Sequence, residues 1–211
     1  MSQTDIRDNN KQLAIEAALS LFREKGVEAT TLAEVAAASG LASRSLYRYF
    51  GDREGLVSAV AARYWSYMLE TVDEIYRFVT EEEVTGYEML KKMTGSFYEI
   101  YIQRRGSMVM LLEIEAFIIR HNVKYSDITS LMTADRSNSP FAYALRRGQE
   151  DGTIRSDLDV SCTCLLIRNL VLPLMQRLAC TESGGGPSGR ELAKSHIEAC
   201  CAMLLDYVRV R

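Results

Sequence analysis

Apolar positions in the first part of the chain recur at the spacing of an α-helix. Leu13, Ala14, Ala17, Ala18, Leu21 and Phe22 fall on one side of a helix predicted over Asn9–Lys25, and Gly26 supplies its stop. Thr31 and Glu34 stand three apart, the spacing of a capping box, and open a second helix with Leu32, Val35 and Ala36 on its apolar side. Gly40 ends it. A third helix is predicted over Ser43–Phe50, with Leu46 and Phe50 facing inward and Arg44, Tyr47 and Arg48 on the opposite face. Asp52, after Gly51, can cap a long fourth helix that carries Leu56, Val57, Val60, Tyr64, Trp65, Met68 and Leu69 and extends to Phe78.

The helical pattern continues to the end of the chain, and strand alternation is absent. Thr80–Thr85 reads as a loop or a helix start. Helices are predicted over Tyr87–Arg104, Met108–His121, Tyr125–Thr133, Phe141–Asp151, Val160–Ala179 and Arg190–Val208. Asp135–Pro140 and Gly152–Asp159 are breaks, and Ser183–Gly189 is a linker. Pro173 is expected to bend the helix that contains it. The fold class is therefore all-α: a small three-helix domain over 1–53, joined by the fourth helix to a larger helical domain over 54–211.

Charge narrows the picture. The net charge is −3, and residues 1–55 hold seven Lys+Arg against eight Asp+Glu. Any affinity for nucleic acid must come from a few well-placed groups and not from bulk charge. The amino terminus is polar, with no targeting signal, and no membrane span is read from the sequence, so the chain is expected in the cytoplasm. Five cysteines form an odd set in such a chain, which argues against a disulfide scaffold.

The segment Thr30–Phe50 carries the chemistry. Two short helices around a tight turn at Gly40–Ala42 fit helix-turn-helix geometry. Ala36, Ala37 and Ala38 are small enough to let the helices cross closely. On the third helix a guanidinium can grip guanine edges or phosphate, and Tyr47 offers a flat ring with a hydroxyl tip.

TTLAEVAAASGLASRSLYRYFGDREGLV resembles the helix-turn-helix signature of the TetR family of bacterial repressors, over about residues 9–60. The resemblance rests on the threonine pair, Glu34 and Val35, Gly40, the run Leu46–Phe50 and Asp52–Leu56. It implies that Thr30 and Thr31 meet phosphate, that Ser43, Arg44, Ser45 and Tyr47 face the major groove beside Arg48, and that Tyr49 and Arg53 clamp the DNA backbone, with the dipole of the fourth helix adding to them. The family often has serine, a basic residue and a small one where this chain has Ala42, Ser43 and Arg44. The basic group is thus one position along, and Ser43 or nothing caps the third helix.

The same resemblance implies that the body binds a small molecule and dimerises through its last two helices, so that two recognition helices read a palindromic operator in double-stranded DNA. Leu165, Leu166, Leu170 and Leu174 form one stripe; Ile197, Cys200, Leu204, Leu205 and Val208, with Leu192, form another. A pocket for a largely apolar ligand is expected among Trp65, Met68, Phe97, Tyr98, Tyr101, Met110, Glu113, Phe117 and His121. Ligand binding would shift the fourth helix and spread the recognition helices.

Two other regulators or binders remain open: a redox sensor working through Cys162, Cys164, Cys200 and Cys201, and a helical partner-binding protein that never meets DNA. Enzyme chemistry finds little support. His121 and His196 are far apart, Glu113 and Glu115 face apart on a helix, and no nucleophile elbow, phosphate loop or metal signature is present. No metal or cofactor is called for.

Overall fold

The computed structural model describes residues 3–80, 83–123, 139–181 and 187–210, with 67–80 described as helical backbone. The described residues are helical; apart from one isolated bridge between Ile154 and Arg209 they contain no strand pairing. The chain divides into two compact units. One holds Met1–Met68 and Val109–Met132; the other holds Leu69–Met108 and Thr133–Arg211.

The first unit contains α1 (Gln3–Lys25), α2 (Leu32–Ser39), α3 (Ser43–Phe50), the start of α4 (Arg53–Thr80) and the carboxy-terminal half of α6 (Phe97–Arg120). Its core is made by Ala14, Ala18, Phe22, Val35, Leu46, Leu56, Val60 and Phe117. Removing such side chains from water is the main force holding these short helices, which would not persist alone. α1 begins six residues earlier than its apolar pattern predicts, with Asp5 in its first turn, where a negative charge favours the helix dipole. Leu13 is exposed and not part of the inward face. Of the three alanines expected at the helix crossing, Ala36 alone is buried; Ala37 and Ala38 face solvent.

The helix ends follow local chemistry. Thr31 Oγ1 accepts from Glu34 N at 3.3 Å, and the Glu34 carboxylate accepts from Thr31 N at 2.9 Å, completing the predicted box. Gly40 closes α2 in the left-handed region (φ 69°), which favours glycine because a side chain is strained there. Ala42 opens α3 with no side-chain cap. Asp52 Oδ1 accepts from Gly55 N at 2.7 Å at the start of α4, as the sequence predicts.

The second unit contains α5 (Gly86–Gly95), residues 97–108 of α6, α7 (Pro140–Glu150), α8 (Val160–Thr181) and α9 (Pro187–Val208). The break expected near residue 105 lies instead at Gly95–Ser96, where the Ser96 hydroxyl donates to Met93 O at 2.8 Å; Gly106 stays inside α6. α5 starts at a second capping box, Thr85 with Glu88, and α7 at Ser139 followed by Pro140. α5 and α7 meet at two glycines. A Cβ on Gly86 would lie 2.0 Å from Gly148 N and 2.4 Å from Ala144 O, so the backbones touch. Asp151 secures the contact by accepting from Gly86 N at 2.8 Å. The helix expected over Tyr125–Thr133 lies outside the described residues.

α8 and α9 pack through Ile167, Val171, Met175 and Leu178 on one and Ala193, Ile197, Leu204 and Val208 on the other. The sequence reading found no membrane span, yet α8 is long and apolar enough to cross a membrane by length and composition, at a mean hydropathy of 1.2. Its buried positions include Thr163 and Gln176, and its inner side is used against protein.

Candidate DNA interface

The recognition surface is built by burying one side of α3. Leu46 has no exposed area, and it fixes the helix against the first unit's core. Ser43, Arg44, Tyr47 and Arg48 are then left in solvent, with Tyr47 57% exposed. Ser45, Tyr49 and Phe50 are half-buried. Tyr49 is held on two sides: Asn10 Nδ2 donates to its hydroxyl at 3.3 Å, and Arg48 Nη2 donates to it at 3.2 Å. The Arg48 guanidinium also sits 5.1 Å from the Tyr49 ring centroid. Hydrogen bonds from Asn10 and then Arg48 pull the phenol below its ordinary value, and the positive charge of Arg7 acts in the same direction.

Three expected phosphate contacts are placed otherwise. Thr30 is buried, and its hydroxyl donates to Gly26 O at 2.9 Å, leaving nothing to offer a phosphate. The Thr31 hydroxyl is taken up by Glu34 in the capping box. Arg53 Nη2 donates to Val27 O at 2.9 Å and to Glu28 O, and pairs with the Glu28 carboxylate at 3.2 Å. Thr30 and Arg53 are thus engaged within the chain, while Thr31 is exposed at the start of α2.

Glu28 is a hub that the sequence reading missed. Its carboxylate also receives Arg120 and lies 3.3 Å from His121 Nε2. Desolvation pushes its pKa up, but the hydrogen bonds from Arg120, His121 and Arg53 outweigh it and hold the group below its usual range. Phe117 stacks on His121 at 4.2 Å, and the Arg53 guanidinium lies 4.8 Å from the centroid of the same Phe117 ring. Partners up to 93 residues apart leave no trace in local spacing.

The residues expected to line a ligand pocket are divided. Trp65, Met110 and Phe117 are buried in the first unit. Glu113 and His121 are committed to the loop after α1 through Val27 and Glu28, which corrects their expected place in an apolar pocket. Phe97, Tyr98 and Tyr101 belong to the second unit, where Phe97 stacks on Phe141 at 5.9 Å and Tyr98 on Tyr101 at 6.4 Å. Met68 lies on the backbone of α4, and its side chain is outside what the structure describes.

The dimer stripes also need correction. Ile197, Cys200, Leu204 and Val208 are buried within the chain and form the inner side of α9. Leu174 and Leu205 are half-buried. Leu165, Leu166 and Leu170 are exposed as expected, together with Leu192, Met203 and Tyr207, which lie on the outer side. None of the five cysteines forms a disulfide: Cys162 and Cys180 are exposed, Cys164 is half-buried, and Cys200 and Cys201 are buried.

A capped helix, a left-handed glycine and a following helix that displays cationic and aromatic groups define a helix-turn-helix regulator of transcription. Residues 14–60 match the model of the bacterial regulatory proteins of the tetR family. The chain is 35% identical over 183 residues to the HTH-type transcriptional repressor AcnR of Corynebacterium efficiens, covering 85% of this chain and 87% of that one. It belongs to the TetR family. It is also 27% identical over 155 residues to the transcriptional repressor KstR2 of Rhodococcus jostii, covering 74% and 72% of the two chains. Among solved structures, Thermus thermophilus FadR in complex with lauroyl-CoA shares the fold, with a TM-score of 0.66, 20% identity, and 95% and 96% of the chains covered.

Proposed function

We propose that this regulator is a cytoplasmic repressor that acts as a homodimer on a palindromic operator and is released by a small, largely apolar ligand. The observation that carries the reading is the face of α3: Leu46 fully buried, with Arg44, Tyr47 and Arg48 turned outward beside Ser43. Arg44 and Ser43 reach base edges, Tyr47 meets a base or phosphate, and Arg48 and Tyr49 hold the backbone. Residues 1–53 act as the DNA-binding domain and 54–211 as the effector-binding and dimerisation domain. Two copies paired through the outer sides of α8 and α9 would set their recognition helices about 34–36 Å apart, one turn of DNA.

Release requires the ligand to bind the spread arrangement better than the DNA-bound one, since equal affinity shifts nothing. The ties from α6 to the α1–α2 loop, Glu113 to Val27 and Arg120 to Glu28, support a route by which a change in α6 or α4 reaches α3. Selection of duplexes from a random pool, followed by fluorescence anisotropy, tests the reading. The double variant Arg44→Ala, Tyr47→Ala is expected to lose operator binding and to remain dimeric in sedimentation. Retention of no duplex by the unaltered protein at low salt sinks the regulator reading. Acyl-CoA thioesters are the first effectors to screen, because FadR of Thermus thermophilus was solved with one. A saturating effector that leaves operator affinity unchanged sinks the release mechanism.

A further inference from the structure

We infer that the first turns of α1 belong to the DNA surface: Asn10 positions the Tyr49 hydroxyl toward a backbone phosphate, and Arg7 places a second cation beside it. The inference rests on the DNA-binding reading above and extends it to residues outside the matched family segment, which starts at residue 14.

α1 starts at Gln3, yet its buried side begins only at Ala14. Residues 4–9 are exposed, so core packing does not account for the added helix. The contact made just after this extension is to the recognition helix, from Asn10 Nδ2 to the Tyr49 hydroxyl, across 39 residues of chain.

The hydroxyl chemistry then sets the direction of recognition. A phenol has two acceptor sites and one proton to give. Asn10 and Arg48 both donate to this oxygen and fill the acceptor sites. Its own proton is thereby left to point outward, and among the described residues no group accepts it. A lone donor beside the Arg48 guanidinium and within the field of Arg7 suits an anionic oxygen, and duplex DNA offers phosphate. Arg7 lies about 60° round the helix from Asn10, whereas Asp5 and Asp8 lie about 140° and 160° away, so the acidic residues of this turn face elsewhere. In a domain whose bulk charge is close to zero, one added cation at the right place matters.

Asn10 is thus a positioning residue, acting through Tyr49. The test uses the full-length protein, a selected operator duplex and anisotropy over a series of salt concentrations. Asn10→Ala and Tyr49→Phe should each weaken binding by about threefold to tenfold, as loss of one well-made hydrogen bond implies. The double variant should be no weaker than Tyr49→Phe alone. Arg7→Ala should lower the slope of log affinity against log salt by about one per protomer. Tyr49→Phe keeps the ring and so guards against a result due to misfolding, as does a thermal melt of each variant. Additive losses in the double variant would show that Asn10 does not work through Tyr49 and would overturn the inference. So would wild-type affinity and salt slope in Asn10→Ala and Arg7→Ala while Arg44→Ala, Tyr47→Ala loses the duplex, and in that case the DNA-binding reading still stands. Failure of the unaltered protein to hold any duplex removes both.

Discussion

Glu113 on α6 accepts a hydrogen bond from the backbone N–H of Val27, 3.2 Å away and 86 residues earlier in the chain. Val27 is buried between α1 and α2, where a backbone donor without a partner is costly. The carboxylate solves that problem from a distant helix. Glu113→Ala should therefore destabilise the protein by about 1 kcal/mol, while Glu113→Gln, which keeps an acceptor, should lose less. Urea denaturation decides it: equal midpoints for Glu113→Ala and the unaltered protein would show that water replaces the carboxylate at no cost.

The inner and outer sides of the last two helices should respond differently. Leu204 is buried within the chain, and Leu204→Ala should cost about 3 kcal/mol without changing the assembly state. Leu166 and Leu170 are exposed on α8, and changing both to glutamate should yield monomers that still melt cooperatively. Analytical ultracentrifugation separates the two effects. A dimer that survives the paired glutamates places the partner on another surface.

Acid should weaken the start of α2 through one residue. Hydrogen bonds from Lys25 and then Thr31 hold the Glu34 carboxyl at about 2, below its ordinary 4.5. The folded value lies below the unfolded one, so the contribution is fully present above the unfolded value and is lost as pH falls through the folded value. The stability difference between the unaltered protein and Glu34→Gln should thus shrink as pH is lowered from about 6 to about 3. A difference that stays constant across that range would mean the charge on Glu34 is irrelevant to the box.

Thiol reactivity should sort by position. Burial pushes Cys200 up and carries Cys201 to about 12, and Cys201 Sγ is turned to Thr94 O at 3.6 Å. Cys162 is exposed but raised by Asp159, which lies at the same helix start. Iodoacetamide at neutral pH should label Cys180 first, Cys162 more slowly, and Cys200 and Cys201 only after denaturation. Mass spectrometry of native protein with Cys201 labelled as fast as Cys180 would contradict this packing and revive a redox role for the pair.

How much was legible in the sequence follows from the range of the interactions. The caps of α2 and α4, the glycine stop and the facing of Leu46 against Arg44, Tyr47 and Arg48 depend on neighbours three or four residues apart, and all are visible in local spacing. The missed features are long-range. Nothing near Glu28 announces Arg120, and nothing near Glu113 announces Val27. Thr30 and Arg53 fit a phosphate-binding pattern in one dimension, but in three dimensions a carbonyl or carboxylate from the chain itself reaches them first. The α9 stripe read from the sequence mixes two sides of the helix, with Leu192 exposed and Ile197, Leu204 and Val208 buried. Which side meets the chain's own core and which meets solvent depends on the crossing of the two helices, and periodicity alone does not contain it.

The bare contact between Gly86 and Gly148 has a practical bearing on redesign of the helical body. Two backbones that touch cannot part slightly without opening a void. A redesign of the helical body should therefore leave this seam alone, because even a single methyl added here would wedge α5 and α7 apart.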